Sequence, residues 1–359
     1  MLRGHGGEIY HLARQLGISP REIQDHSSNV SPLPPPAGLY ERLKESLAEI
    51  ENLPEVDSFS LRHSLAEFYG LSPEEIIPSS GTTEWIFAIP RLLKPKRVLI
   101  LGPTYSDYAD AARINGLKIL YLLAREEENF APPLKELKAS LRPQDLVFIC
   151  NPNNPTGVLI SPETLSSLAK KNPETFFVID ESYMDFIEGE NSLLNLDVFP
   201  SNLIVLRSFS KIYRIPGLRL GYLVAKAPLN KIFWENTLPW AVNRLAQIAG
   251  LWLLERAPSY LLEVKNFVSF EKERIWQKLS KLSGIKVFPT KVHFFLLKLL
   301  ESRKATTVWH RLLTEKHILV REASNFKGLE GEFLRFALRS KAENDRLLEA
   351  LEEVLCEKT

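Results

Sequence analysis

The chain has 359 residues, 45% hydrophobic and 25% charged, with 45 Lys+Arg against 44 Asp+Glu for a net charge of +1. That length accommodates two domains with substantial cores, and the even charge balance gives no basic surplus for nucleic acid and no charged docking tail. Two cysteines without a CxxC spacing, Cys150 and Cys356, argue against a disulfide framework or a cysteine zinc site, and no apolar run reaches bilayer length or forms a signal-peptide core, so a cytoplasmic protein with no metal and no membrane contact is expected.

Residues 1–38 read as short elements and turns that end in an extended, proline-rich stretch at 31–36, because proline fixes φ and restricts the residue before it. Helical periodicity covers 41–51 and 61–69. Apolar runs expected as strands follow at 98–101, 118–123, 146–150, 176–179, 203–206 and 220–224, with helical segments at 83–93, 106–115 and 162–170. This alternation predicts an α/β layer around a mostly parallel sheet flanked by helices. Beyond 226, long helical stretches run to 252 and on to 282. Strand-like runs come next at 285–288, 294–300, 317–321 and 333–338, and a last helix spans 341–355, opened by the capping box Ser340-x-x-Glu343. The tail reads as a smaller α+β domain.

Ligands of open α/β sheets bind beyond the carboxyl ends of strands, so the residues that follow each apolar run are the candidates. After 203–206 comes Arg207-Ser208-Phe209-Ser210-Lys211, with Arg219 eight positions beyond the lysine. A lysine there can form a Schiff base with an aldehyde cofactor, while hydroxyls and an arginine hold a phosphate dianion. By itself such a tetrapeptide is more often a surface loop. After 146–150 comes Asn151-Pro152-Asn153-Asn154-Pro155-Thr156-Gly157. It is either a plain turn or a rigid loop that aims the Asn154 amide at a phenolate oxygen. Asp180, after 176–179, is either a helix N-cap or a buried carboxylate paired with a protonated pyridine nitrogen. Tyr183 reaches the phenolate of the same ring or sits at the edge of the core. Ser80-Gly81-Thr82-Thr83 opens a helix whose free N–H groups favour a phosphate, and Tyr105 either stacks on a flat ring or is a core tyrosine. Only pyridoxal 5′-phosphate needs this whole set.

The order of these residues resembles that of the fold type I pyridoxal-phosphate enzymes over essentially the whole chain. Within that group the chain is similar to histidinol-phosphate aminotransferases and to the threonine-phosphate decarboxylases of cobalamin biosynthesis. Three regions favour the decarboxylases: His5-Gly6-Gly7 with Asp25-His26-Ser27-Ser28-Asn29, the stretch 206–224 with Leu238-Pro239-Trp240, and 318–339. The resemblance implies a fold type I transferase fold, with an N-terminal arm at 1–38 packing on the active site, a large cofactor-binding domain at 39–240 and a small C-terminal domain at 241–359. It also implies that Lys211 is the Schiff-base lysine, that Asp180 pairs with the pyridinium, and that Asn154 and Tyr183 bind the ring oxygen. Tyr105 then stacks, Thr82, Thr83, Ser208, Ser210 and Arg219 hold the cofactor phosphate, Arg335 meets the substrate carboxylate, Asn154 also contacts substrate, and Arg321, His5 and Asn29 form a substrate-phosphate pocket.

The implied activity is decarboxylation of L-threonine O-3-phosphate, or serine phosphate, to an aminoalkyl phosphate, by a homodimer. The alternative is a histidinol-phosphate or related aminotransferase. A non-catalytic binding protein is disfavoured because the full catalytic set is present. Two features depart from the decarboxylase pattern. Leu53-Pro54-Glu55 stands where Tyr-Pro-Asp is usual, which removes a hydrogen-bond donor toward the partner subunit's cofactor, and Tyr105 and Tyr183 stand where phenylalanine is common.

Overall fold

The computed structural model describes residues 6–189, 192–196, 199–301 and 303–356; His5 lies outside them. The chain opens with the helix Ile9–Leu16 and a two-residue strand, β1 (Gln24–Asp25). Seven strands form the central sheet: β2 (Ile76–Ser79), β3 (Arg97–Gly102), β4 (Lys118–Leu123), β5 (Asp145–Cys150), β6 (Phe176–Asp180), β7 (Leu203–Ser208) and β8 (Gly221–Ala225). Their order is β2-β8-β7-β6-β5-β3-β4. All neighbours from β7 to β4 pair parallel, and β8 runs antiparallel to both β7 and β2. Every residue of β5 and β7 is buried, as expected of strands covered by helices on both faces.

The second sheet has four antiparallel strands in the order β12-β13-β10-β9, built from β9 (Ile285–Val287), β10 (Phe294–Leu299), β12 (Arg321–Glu322) and β13 (Phe333–Ala337). A separate apolar cluster, which includes Leu297, Leu312, Phe336 and Leu351, packs the helices Ala305–Lys316 and Lys341–Cys356 on this sheet. β11 (Ile318–Leu319) pairs instead with β1 in a parallel ladder.

Four expectations are corrected in detail. β2 was not expected: it is short and contains Pro78, which its position at the sheet edge tolerates. The helix expected at 41–51 breaks into Leu39–Glu45 and a 3₁₀ segment Leu47–Glu51, because the Ser46 N–H is shared between the Arg42 and Leu43 carbonyls and tightens the turn. The long helical run after 226 is three helices, Leu229–Glu235, Arg244–Leu254 and Ala257–Leu279. It is interrupted at 236–243, where Trp240 adopts φ 58° and the Asn243 side chain caps the next helix by accepting from the Ala246 N–H. The strand expected at 317–321 serves two sheets, with Val320 between β11 and β12.

Residues 24–31 tie the two sheets together. The His26 N–H donates to the Leu319 carbonyl at 2.8 Å, and the Ala337 N–H donates to the His26 carbonyl at 2.8 Å. The buried Arg339 guanidinium donates to the carbonyls of Asp25 (2.7 Å), Ser28 (2.7 Å), Val30 (3.3 Å) and Leu338 (2.9 Å). At the far end of the segment the Ser31 N–H donates to the Lys211 carbonyl at 2.8 Å. Among the described residues no helix is long and apolar enough to cross a membrane, and no group of three or more His, Cys, Asp or Glu could hold a metal ion.

Candidate active site

At the carboxyl ends of β5, β6 and β7 lies a cavity with two adjoining lobes, of about 190 and 290 Å³, which share Tyr105, Asn154, Tyr183 and Lys211. The smaller, inner lobe is walled by Thr82, Thr83, Ser208, Ser210 and Arg219 on one side and by Asp180 on the other.

Asp180 ends β6 and is buried. One carboxylate oxygen accepts from the Ser182 N–H (3.0 Å) and hydroxyl (2.6 Å), and the other from the Tyr108 hydroxyl (2.8 Å). Burial pushes the carboxyl above its ordinary value, while the hydrogen bonds from Ser182 and Tyr108 and the charge of Lys211 pull it back. A cationic ring nitrogen placed against this carboxylate would relieve the desolvation that raises it.

Lys211 sits on the short helix Phe209–Ile212 that follows β7 and is half-buried. Its Nζ makes no hydrogen bond or ion pair among the described residues. Burial, then the positive charges of Arg219 and Arg335, lower its ammonium to about 8, with Asp180 and Asp25 acting the other way. A lysine in this state supplies a neutral amine near neutral pH, as imine formation requires.

The phosphate end of the lobe depends on two glycines. Gly81, at φ 82°, precedes the helix Thr82–Leu93, and a Cβ there would collide with the Arg219 guanidinium. A Cβ on Gly221 would lie 2.9 Å from the Thr82 nitrogen and 3.0 Å from the Arg207 carbonyl oxygen. Their missing side chains bring a helix N-terminus, two threonines, two serines and an arginine around one small space, a donor set that suits a dianion. With Lys211 and Asp180 at the other end, the inner lobe fits pyridoxal 5′-phosphate.

The larger, outer lobe is lined by Arg113, Lys211, Arg321, Lys327 and Arg335, and among the described residues by no Asp or Glu. Arg335 is buried. It donates to the Asn154 side-chain oxygen and to the Ser27 carbonyl, and its Nε has no partner among the described residues. Burial lowers it to about 10. Arg321 donates to the Glu322 carbonyl (2.6 Å) and the Asn325 side chain (2.7 Å). Arg113 is paired with Asp110 at 2.7 Å, and Lys327 is exposed at the rim. The Asn29 amide faces the Tyr183 hydroxyl at 3.5 Å, and its side-chain oxygen is buried without a partner among the described residues.

All thirteen residues singled out from the sequence that fall among the described ones line these two lobes: Asn29, Thr82, Thr83, Tyr105, Asn154, Asp180, Tyr183, Ser208, Ser210, Lys211, Arg219, Arg321 and Arg335. Leu53 lines neither and is 73% exposed. Sequence reasoning missed Tyr108, Ser182, Arg113 and Lys327. Ser182 carries a local signal, since Asp-x-Ser is a common side-chain-to-backbone turn. Tyr108 carries none. Also missed was a buried ion network beneath the site. Arg207, 2% exposed, binds Glu181 (3.0 Å), Asp185 and the Tyr69 hydroxyl (3.2 Å). Arg207 and Glu181 each adjoin a site residue, and for Arg207 the alternation of β7 turns the side chain to the face opposite Ser208.

The family model for aminotransferase class I and II matches residues 27–351. The chain belongs to the aminotransferase class I and II family. Its fold is accordingly the fold type I arrangement, and the cofactor that the inner lobe fits is the one this family uses. The chain is 35% identical over 358 residues to threonine-phosphate decarboxylase of Salmonella typhimurium, covering 98% of this chain and 96% of that protein. It is 32% identical to histidinol-phosphate aminotransferase 2 of Archaeoglobus fulgidus, with 93% and 94% covered. The crystal structure of L-threonine-O-3-phosphate decarboxylase from Porphyromonas gingivalis superposes with a TM-score of 0.84 at 30% identity, covering 93% of this chain and 100% of that one.

Proposed function

We propose that this protein decarboxylates L-threonine O-3-phosphate, or the serine analogue, with pyridoxal 5′-phosphate as cofactor, to give an aminoalkyl phosphate for cobalamin synthesis. The observation that carries this reading is the outer lobe, which opens onto Lys211 and among the described residues is lined by four further basic side chains and no carboxylate. A phosphorylated amino acid brings a phosphate of about −1.5 to −2 charges together with a carboxylate, and such a lobe suits that pair of anions. The names of the Salmonella and Porphyromonas relatives support the same substrate.

Bound pyridoxal phosphate supplies an electron sink for the pair released when a bond at Cα breaks. In this reading Lys211 would hold the cofactor through its amine and, when released by the substrate amine, would carry the proton for Cα once CO₂ has left. Asp180 keeps the proton on the ring nitrogen. Asn154 and Tyr183 would bind the ring oxygen, Tyr105 would stack on the ring, and Thr82, Thr83, Ser208, Ser210 and Arg219 would hold the phosphate. Arg335, with Asn154, takes the substrate carboxylate, and Arg321, Asn29 and His5 take the substrate phosphate. Each charge-assisted bond is worth about 1.5–3 kcal/mol, and about 1.4 kcal/mol is tenfold in rate, so a few such bonds suffice to choose which Cα bond breaks.

The aminotransferase is the second reading, favoured by Tyr105 and Tyr183 in place of phenylalanine. Purified protein loaded with cofactor and given threonine phosphate separates the two. CO₂ released without a 2-oxo acid supports the decarboxylase, and product formed only with that acceptor supports the aminotransferase. No product in either arm, with serine phosphate and histidinol phosphate tried as well as threonine phosphate, removes both.

We also propose a cytoplasmic homodimer, with 1–38 as an arm over the site, 39–240 as the large domain and 241–359 as the small one. The dimer is supported by an exposed apolar face that includes Ile50, Leu53, Val56, Phe59, Leu238 and Trp240. The two segments meet where the Trp240 N–H donates to the Val56 carbonyl at 3.0 Å. Sedimentation should give twice the chain mass, and Leu53→Glu should shift it toward one.

A further inference from the structure

Tyr108 is buried in the wall of the inner lobe on the helix Asp107–Ile114, and none of the roles above uses it. Its ring stacks on Phe148 with centroids 5.0 Å apart and planes 9° apart, and it meets Tyr105 edge-on at 5.7 Å. Packed in this way, it has one polar atom to place. That hydroxyl donates to Asp180 at 2.8 Å, on the carboxylate oxygen that Ser182 leaves uncovered. Asp180 therefore accepts three bonds from one N–H and two hydroxyls.

The other titratable groups around this carboxylate are the Cys150 thiol on β5, the Tyr105 and Tyr183 phenols and the Lys211 amine. Burial holds the thiol and the phenols in their neutral forms. The charge balance at the ring-nitrogen end of the lobe is thus left to Asp180 and the donors on it. Hydrogen bonds to an ionised carboxylate favour the ionised form and make it a weaker base. A weaker base leaves the proton on a ring nitrogen placed against it.

We propose that Tyr108 is a positioning residue that holds Asp180 ionised and oriented, and so keeps a bound pyridine ring cationic. This rests on the pyridoxal-phosphate reading. Losing the hydroxyl makes Asp180 a stronger competitor for the ring proton. The ring then draws less charge from the nitrogen that links it to Lys211, and that nitrogen becomes more basic.

Tyr108→Phe removes the donor and keeps the stacked ring. The measurements are the pH midpoint of the visible absorption of the loaded protein and its dissociation constant for pyridoxal phosphate. Tyr108→Phe should raise the midpoint by about one unit and weaken cofactor binding about tenfold. Ser182→Ala, which removes a donor from the other oxygen, should raise the midpoint in the same direction, and it carries the test by itself if Tyr108→Phe does not fold. An unchanged midpoint in Tyr108→Phe overturns the role of Tyr108 while leaving the cofactor reading intact; should that variant not fold, an unchanged midpoint in Ser182→Ala overturns the premise that donors on Asp180 set the charge of the ring. A wild-type protein with no cofactor band that depends on Lys211 overturns both.

Discussion

Two side chains in this site have acid–base or charge behaviour that leads directly to measurements. The Lys211 ammonium is lowered to about 8 from an ordinary 10.5 by burial and by two arginines. Cofactor loading through the neutral amine should therefore speed up with pH and level off above a midpoint of about 8, which stopped-flow absorbance would read. The stability linkage has the same window. Between about 8 and 10.5 the unfolded chain binds the proton that the folded chain has lost, so the contribution of Lys211 to stability rises with pH there. Lys211→Ala should abolish the borohydride-reducible link to the cofactor. Arg321 differs from Lys211 because it lies in the outer lobe alone. Arg321→Ala should lower kcat/KM for a phosphorylated substrate by about 10–100-fold, from the loss of one or two charge-assisted bonds, and affect an unphosphorylated analogue far less. Equal losses on both would remove Arg321 from the phosphate pocket.

The elements act by bringing strand ends and helix starts close together. Gly221→Ala should be costly, because its Cβ would press on the Thr82 nitrogen and the Arg207 carbonyl, both backbone atoms. A loss of about 1–3 kcal/mol in unfolding free energy is expected, together with weaker cofactor binding. Gly217→Ala meets nothing within 4 Å and is the control that should change neither. At this scale the sequence was readable where local signals are strong. Apolar runs located β5, β6 and β7, and each of these strands delivers a site residue at or just past its end. The signals failed where tertiary context overrides them. Pro78 conceals an edge strand, Ser46 ends a helix that its periodicity would continue, and Val320 divides one apolar run between two sheets.

Across the whole molecule, the outer lobe joins residues about three hundred positions apart, with Arg339 beneath it. That guanidinium binds the carbonyls of Asp25, Ser28 and Val30, and so shapes the segment that presents Ser27, Ser28 and Asn29 to the cavity. Arg339→Met should leave these acceptors unpaired, lower stability by about 3 kcal/mol or more in denaturant unfolding, and raise substrate KM more than it weakens cofactor binding.

The chemistry of the cofactor end was legible in the sequence because each of its residues lies within a few positions of a strand end or helix start, where backbone geometry dictates direction. Lys211, Asp180, Asn154 and the Thr82–Thr83 pair are all of this kind. The tertiary structure alone decided what surrounds them. Tyr108 reaches Asp180 across 72 residues, Arg335 reaches Asn154 across 181, and Arg339 reaches Asp25 across 314. Such contacts depend on how separate layers pack and leave no periodicity, spacing or turn signature along the chain.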